Sequence, residues 1–209
     1  MKAGLIGAAL VSATLMASPA AANSIAVVNA SFETLPAGEP VCGATFSCVA
    51  PTGWNMTAQS GGQINTSAGF FSSQSDGTWA AWANDGTISQ TVTAIAVAGV
   101  TYTLQVDMGD RNDFPNLLTN PGNISLVIGG IPHLATGPSL IDGGWVTYTA
   151  SYLATAGDAG AAISILLATP GPQGAWDNVR LSDNVAPVPG PIVGAGLPGL
   201  VIAFGGFVA

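Results

Sequence analysis

Apolar and polar positions alternate in short runs along the middle of the chain. Thr101–Met108 is the clearest case. Tyr102, Leu104, Val106 and Met108 fall on one face, and Thr101, Thr103, Gln105 and Asp107 on the other. This is the period of two that a half-buried strand needs. Trp145–Tyr152 repeats it, with Val146, Tyr148 and Tyr152 opposite Thr147, Thr149 and Ser151. Ser24–Asn29, Thr78–Ala83, Thr87–Val92, Asn123–Ile128, Ile131–Leu134 and Ala175–Leu181 are further β-rich runs, and Ala161–Ala168 is apolar almost throughout, as a central strand would be. Asn84-Asp85-Gly86 supplies a turn and Gly129-Gly130 a two-residue hairpin. Outside the termini no long window carries the helical period. The pattern predicts roughly eight to ten short strands in an all-β, antiparallel sandwich or jelly roll, with a barrel as the alternative.

The two ends break this pattern. Residues 1–22 read as a secretory signal peptide: Lys2, an uncharged apolar stretch to Ala17, Ser18-Pro19, then Ala20-Ala21-Ala22 before cleavage. An N-terminal membrane anchor is the alternative. At the other end, residues 186–191 form a stiff Pro-rich linker. Ile192–Ala209 then runs for 18 residues without a charge, long enough as a helix, at about 27 Å, to span a bilayer core; docking on the domain is the alternative. Residues 23–185 remain as one domain.

Composition then narrows the function classes. The 209 residues carry 3 Lys+Arg against 11 Asp+Glu, for a net charge of −8. Three cations cannot grip a phosphate backbone, so nucleic acid is excluded. Two Cys and one His fall short of a structural zinc site. With 48% apolar residues and a mean hydropathy of +0.49 the chain is not disordered. Removing the signal leaves Arg111 and Arg180 against 11 acids, a strongly acidic exported protein able to attract divalent cations. Export would also let Cys42 and Cys48 close a small disulfide loop.

Two resemblances follow. Val188-Pro189-Gly190-Pro191 and the apolar run behind it resemble a PEP-CTERM sorting tail, with Gly190 in a variant position and no basic end. This resemblance implies Sec export by a Gram-negative bacterium, transient passage through the inner membrane, an exosortase-type membrane protease as partner, and delivery to the cell surface, outer membrane or extracellular matrix. Within the domain, Val28-Asn29-Ala30-Ser31-Phe32-Glu33, Gly53-Trp54 and Trp176-Asp177-Asn178-Val179-Arg180-Leu181 resemble, in their order, the galactose-binding-like jelly rolls that include carbohydrate-binding modules. That resemblance implies neighbouring first and last strands, a structural calcium (Ca2+) held by Glu33 and Asp177, and a polysaccharide partner. Calcium favours such hard oxygens. Alternatively Glu33 caps or pairs with Arg180 and Asp177 makes a turn. The acidic stretch Asp107–Asp113 reads as a loop with an internal Arg111–Asp pair, or as a second cation or sugar contact.

Catalysis finds little purchase. His133 is the only His, and no Gly-x-Ser-x-Gly elbow or phosphate loop is present. Glycoside hydrolysis needs only two facing carboxylates, which 11 acids make unspecific. Aromatic platforms suit sugar faces better. Trp79, Trp82, Trp145 and Arg111 are the candidate sugar contacts, with Asn84, Asp85 and Gln90 as further polar ones. Trp79 and Trp82 should face opposite sides, and Trp176 should be core or lie near the calcium position. The expectation is a non-catalytic, glycan- or exopolysaccharide-binding surface protein. A matrix component without specific ligand, and a glycoside hydrolase, are the alternatives.

Overall fold

The computed structural model describes residues 22–38, 42–58, 60–113, 122–171 and 173–185. The expected signal peptide, the linker, the Val188–Pro191 motif and the apolar C-terminal run fall outside these residues, apart from Ala22. Among the described residues no helix is long and apolar enough to cross a membrane.

Among the described residues, eleven strands form two antiparallel sheets: β1 (Asn23–Ile25), β2 (Asn55–Met56), β3 (Ser60–Asn65), β4 (Trp79–Asn84), β5 (Gly86–Ile95), β6 (Thr101–Gly109), β7 (Asn123–Ile128), β8 (Ile131–Leu134), β9 (Trp145–Leu153), β10 (Ala162–Thr169) and β11 (Gly174–Asp183). The first sheet has the order β3-β4-β11-β6-β9, with β1 also on β11; the second has β2-β5-β10-β7-β8. The all-β antiparallel sandwich is therefore as the alternation predicts. The Gly129-Gly130 hairpin joins β7 to β8, with both glycines at positive φ.

Alternation decides what fills the space between the sheets. Tyr102, Leu104, Val106 and Met108 of β6 meet Ile163, Ile165 and Leu167 of β10 and Ile124, Leu126 and Ile128 of β7, all buried. Each such side chain contributes roughly 1.5–3 kcal/mol of transfer free energy. Trp176 lies in this core, fully buried, as the sequence predicts.

The opening and closing strands do pair, with Ile25 opposite Leu181. The first strand is shorter than Ser24–Asn29: its pairing ends at Ile25, and the chain turns further on, at Asn29 and Phe32, with φ 49° and 53°. A bulge at Asn178, φ 50°, inserts one residue between the pairs Asp177–Asp107 and Arg180–Gln105. Val179 and Leu181 are thereby kept in the core after the bulge, while Asp177 and Arg180 lie on the opposite face of the sheet, Asp177 fully buried there.

β3 is invisible to the alternation rule, since Ser-Gly-Gly-Gln reads as a turn. Gly62 adopts φ +148°, and a Cβ there would overlap the Ser47 carbonyl. The glycine is what lets the 42–48 loop lie against this sheet. Phe46 bridges Ile64, and Ser47 N–H donates to the Gln63 carbonyl at 2.8 Å.

Candidate functional site

The outer face of the first sheet is not left to solvent. A second apolar cluster, separate from the core, covers it: Ile64, Phe71, Ala80, Trp82 and Ala175, with Phe46, Cys48, Phe70 and Trp145 packed against them. Strand register explains the set. Trp82 pairs with Ala175, Ala175 with Gly109, and Gly109 with Trp145, so all four share one level across the sheet. The bare Gly109 lets the Trp145 ring lie over its backbone, since a Cβ there would meet the ring at 2.7 Å.

A cavity of 330 Å3 opens in this cluster. Phe46, Trp82 and the two sulfurs of the Cys42–Cys48 disulfide form its apolar wall. Phe46 meets Trp82 edge-on at 5.5 Å and Phe70 at 5.3 Å. Arg111, Gln173 and Asn84 supply the polar lining. The Arg111 guanidinium is 4.3 Å from the Phe70 ring centre and 5.6 Å from that of Phe46. Its edges donate to Asp113 at 2.9 and 2.6 Å and to Gln173 Oε1 at 2.7 Å. That pairing holds the Asp113 carboxyl below the ordinary carboxylate range. The Arg111–Asp pair expected from sequence is present, but it is packed among aromatic rings rather than in a solvated loop.

Two residues along β11 from Ala175, about 7 Å, lies an acidic row on the same face. Asp177 pairs with Asp107, and Asp107 with Thr147. Asp107 Oδ1 accepts from Thr147 Oγ1 at 2.6 Å and from Arg180 at 3.0 Å; Oδ2 accepts from Ser75 Oγ at 2.8 Å and Asn178 Nδ2 at 3.0 Å. Burial opposes ionisation here, yet these hydrogen bonds and the Arg180 charge together hold the group below its usual pKa. Asp177 behaves oppositely. It is fully buried, and burial pushes its carboxyl up to about 8, aided by the charges of Asp76 and Glu33 and opposed by the N–H groups of Asp76 and Asn178. Those two N–H groups reach Oδ2 at 2.9 Å and Oδ1 at 2.7 Å. Glu33 Oε1 accepts from the N–H groups of Thr78 and Trp79, both at 2.7 Å. The residues between Ser72 and Trp79 thus form a strap laid over the row, with three carboxylates from three segments receiving its donors.

A further buried acid lies outside this row. Asp110 is fully buried, its N–H donates to the Gly144 carbonyl at 3.1 Å, and its carboxyl oxygens have no hydrogen-bond partner among the described residues. Burial raises its pKa, the Asp142 charge adds to this, and the nearby Arg111 N–H opposes it without forming a hydrogen bond.

The residues expected from sequence are therefore partly gathered. Glu33 and Asp177 do anchor one strap, although 144 positions apart in sequence. Glu33 does not pair with Arg180, which takes Asp107 instead. Among the described residues no three His, Cys, Asp or Glu side chains gather to hold a metal ion. Trp82 and Arg111 line the cavity, whereas Trp145 packs on Phe71 at 4.7 Å and donates to the Ser73 carbonyl. Trp79 is half-buried at the foot of the strap. Cys42 and Cys48 are bonded, as expected. Gln90 is not a ligand contact, since its amide pins the Val28 and Gly53 carbonyls at 2.9 and 3.0 Å. His133 stacks on Tyr152 at 3.7 Å, away from the cavity. Sequence reasoning missed Phe46, Phe70, Phe71 and Gln173. Only the Cys pair flanking Phe46 hinted that its loop had a fixed place.

Comparison with known proteins completes the picture. The HpiC1-like family, described as HpiC1 cyclase, matches residues 23–182. A Stig cyclase, Fisc, from Fischerella sp. TAU, solved in complex with (3Z)-3-(1-methyl-2-pyrrolidinylidene)-3H-indole, is 21% identical over 80% of this chain and 100% of its own, with a TM-score of 0.63. A Fischerella sp. TAU cyclase in complex with 4-(1H-indol-3-yl)butan-2-one is 19% identical over 79% and 100%, with a TM-score of 0.62. No curated protein matches the chain.

These matches overturn four expectations. The chain is not recognised as a PEP-CTERM protein with a galactose-binding-like module. The non-catalytic reading and the glycan-binding reading fall with that recognition. No exosortase, polysaccharide or membrane partner is supported, since the related cyclases are solved with small molecules. The physical reason is that Phe-Glu near the first strand and Trp-Asp-Asn-Val in the last encode the sandwich framework, which unrelated chemistries share. By its match over residues 23–182, the chain belongs to the HpiC1-like family.

Proposed function

We propose that this domain is a cyclase, closing a ring in a small, flat, largely apolar aromatic molecule held in the cavity beside Phe46 and Trp82. One observation carries the reading: the aromatic cavity opens on the same sheet face that carries Asp177, a buried acid four residues along the chain from the cavity-lining Gln173, whose carboxyl burial pushes up to about 8. A neutral buried acid is the group that acid-initiated ring closure requires. Asp177 gives its proton to an unsaturated centre of the substrate. The resulting electron-poor carbon is attacked within the same molecule, and a proton lost at the end restores the acid. The reaction is a net isomerisation and needs no co-reactant. Asp76 N–H, now on Oδ2, is the contact a substrate displaces to reach the acid. Aromatic walls and the Arg111–Phe70 stack orient the ring system and exclude water. Both small molecules in the related Fischerella structures contain a 3-substituted indole nucleus, which makes alkenyl indoles the substrates to try first. The test is turnover of such compounds by the purified protein, followed as a new isomer of unchanged mass. Product formed by the wild type and lost in Asp177→Asn, with the fold retained, supports the reading; equal product from both overturns it.

A second reading keeps calcium at Glu33 and Asp177. It is favoured by the proximity of the Asp76, Glu33 and Asp177 charges; a hard cation bound there would replace the Asp177 proton and draw on carbonyl oxygens for further ligands. Thermal stability that rises with added calcium, and not with magnesium, supports it. Export through the Sec pathway is proposed with either reading, from the residue 1–22 pattern and the disulfide; recovery of the protein from the cytoplasm alone would refute it.

A further inference from the structure

The cavity wall contains a disulfide that the cyclase reading does not use. Both sulfurs of Cys42–Cys48 line the cavity, and the chain between them carries Phe46 into it. Cys42 is exposed and Cys48 half-buried, so a dithiol can reach the bond. The far part of this loop has its own attachments. Ser47 N–H donates to the Gln63 carbonyl and Asn65 N–H to the Thr45 carbonyl, both at 2.8 Å, while Trp82 Nε1 donates to the Ser47 carbonyl at 3.2 Å. These bonds do not depend on the sulfurs. The disulfide is therefore not what docks residues 45–47 on β3. It fixes the start of the loop, residues 42–44, and with them the part of the cavity wall that Cys42 and Cys48 supply beside the independently docked Phe46.

We infer that the Cys42–Cys48 disulfide regulates ligand binding at this cavity, the oxidised form presenting a complete wall and the reduced form an incomplete one. The inference rests on the cyclase reading for the location of the ligand. Reduction balances as thiol–disulfide exchange: two electrons and two protons from a dithiol convert the S–S bond to two thiols, and the dithiol closes to its own disulfide. Closing a ring this small removes limited chain freedom, so the ligand, which must reorder the loop, loses about tenfold in affinity on reduction.

The experiment titrates 3-methylindole into the full chain by calorimetry in three forms: oxidised, reduced with dithiothreitol, and Cys42→Ser/Cys48→Ser. Amide exchange at Ser47 and Asn65 is read in parallel. The expected result is binding by the oxidised form, about tenfold weaker binding by the other two, recovery on reoxidation of the wild type, and unchanged protection of both amides. Equal affinity in all three forms overturns the inference and leaves the cyclase reading intact. Weaker binding accompanied by loss of Ser47 and Asn65 protection also overturns it, because the disulfide is then docking the whole loop. No binding by the oxidised form removes the ligand from this cavity and overturns both.

Discussion

Raising the pH in a chelating buffer tests the acidic row directly. Asp177 ionises near its ordinary value of 3.8 when unfolded and at about 8 when folded. The folded state therefore holds a proton that the unfolded state releases across this window. The contribution that favours folding is complete below about pH 4 and is lost as pH rises to about 8, so stability falls with increasing pH. Each pKa unit is worth about 1.4 kcal/mol, so the loss between pH 5 and pH 8 is about 4 kcal/mol at most. For a domain of this size that corresponds to a fall in melting temperature of roughly 10 °C. Asp107 and Asp113 shift the other way, but both titrate below the ordinary carboxylate range and so act at lower pH. Asp110 shifts in the same direction as Asp177 and is separated from it by its own variant. The assay is calorimetric or circular-dichroism melting from pH 5 to pH 8 with EGTA present, for wild type, Asp177→Asn and Asp110→Asn. The wild type and Asp110→Asn should lose stability steeply, and Asp177→Asn should give a markedly flatter profile. A flat or rising wild-type profile would refute the argument that Asp177 is held neutral by burial.

Further outcomes follow from the same geometry. Trp82→Ala removes the cavity wall against which Phe46 packs, and should cost about 3–5 kcal/mol by denaturant melts and abolish binding of an indole probe. Asn178→Val forces a β-branched residue into the bulge and deletes the donor to Asp107, so it should cost about 2 kcal/mol or more, whereas Asn178→Gly should cost less because the backbone position is relaxed. Gly62→Ala places a methyl on the Ser47 carbonyl, so the 42–48 loop should lose amide protection at Ser47 while the β6–β11 amides keep theirs. Cys42→Ser/Cys48→Ser should lower stability by about 2 kcal/mol, measured by urea unfolding under oxidising conditions.

Much of the framework could be read before any coordinates. Alternation located β6 and β9 nearly to their ends, because a slip of one residue would move the apolar set to the other face, and β-rich apolar runs beside turn residues located β7 and β10. It failed at β3, where Gly61 and Gly62 present no side chains to alternate, and at β1, where pairing with β11 stops at Ile25 although the β-rich run continues to Asn29. Cys42–Cys48 was legible because two cysteines so close in a loop have few other partners. The site was less legible. Glu33 was singled out for calcium and Trp82 and Arg111 for sugar, and neither Phe46 nor Gln173 carries any local mark of its place.

What the sequence determined by itself is the class of the fold, because the two-residue period and the turn residues are local and each run reports its own state. What only the tertiary structure decided is the site, because it arises from register between strands far apart in the chain. Asp177 meets Asp107 across a sheet, a strap ties both to Glu33, and a disulfide loop brings Phe46 onto Trp82. The acidity of Asp177 is likewise not a property of an aspartate in a sequence: it follows from desolvation and from neighbouring charges that folding alone assembles.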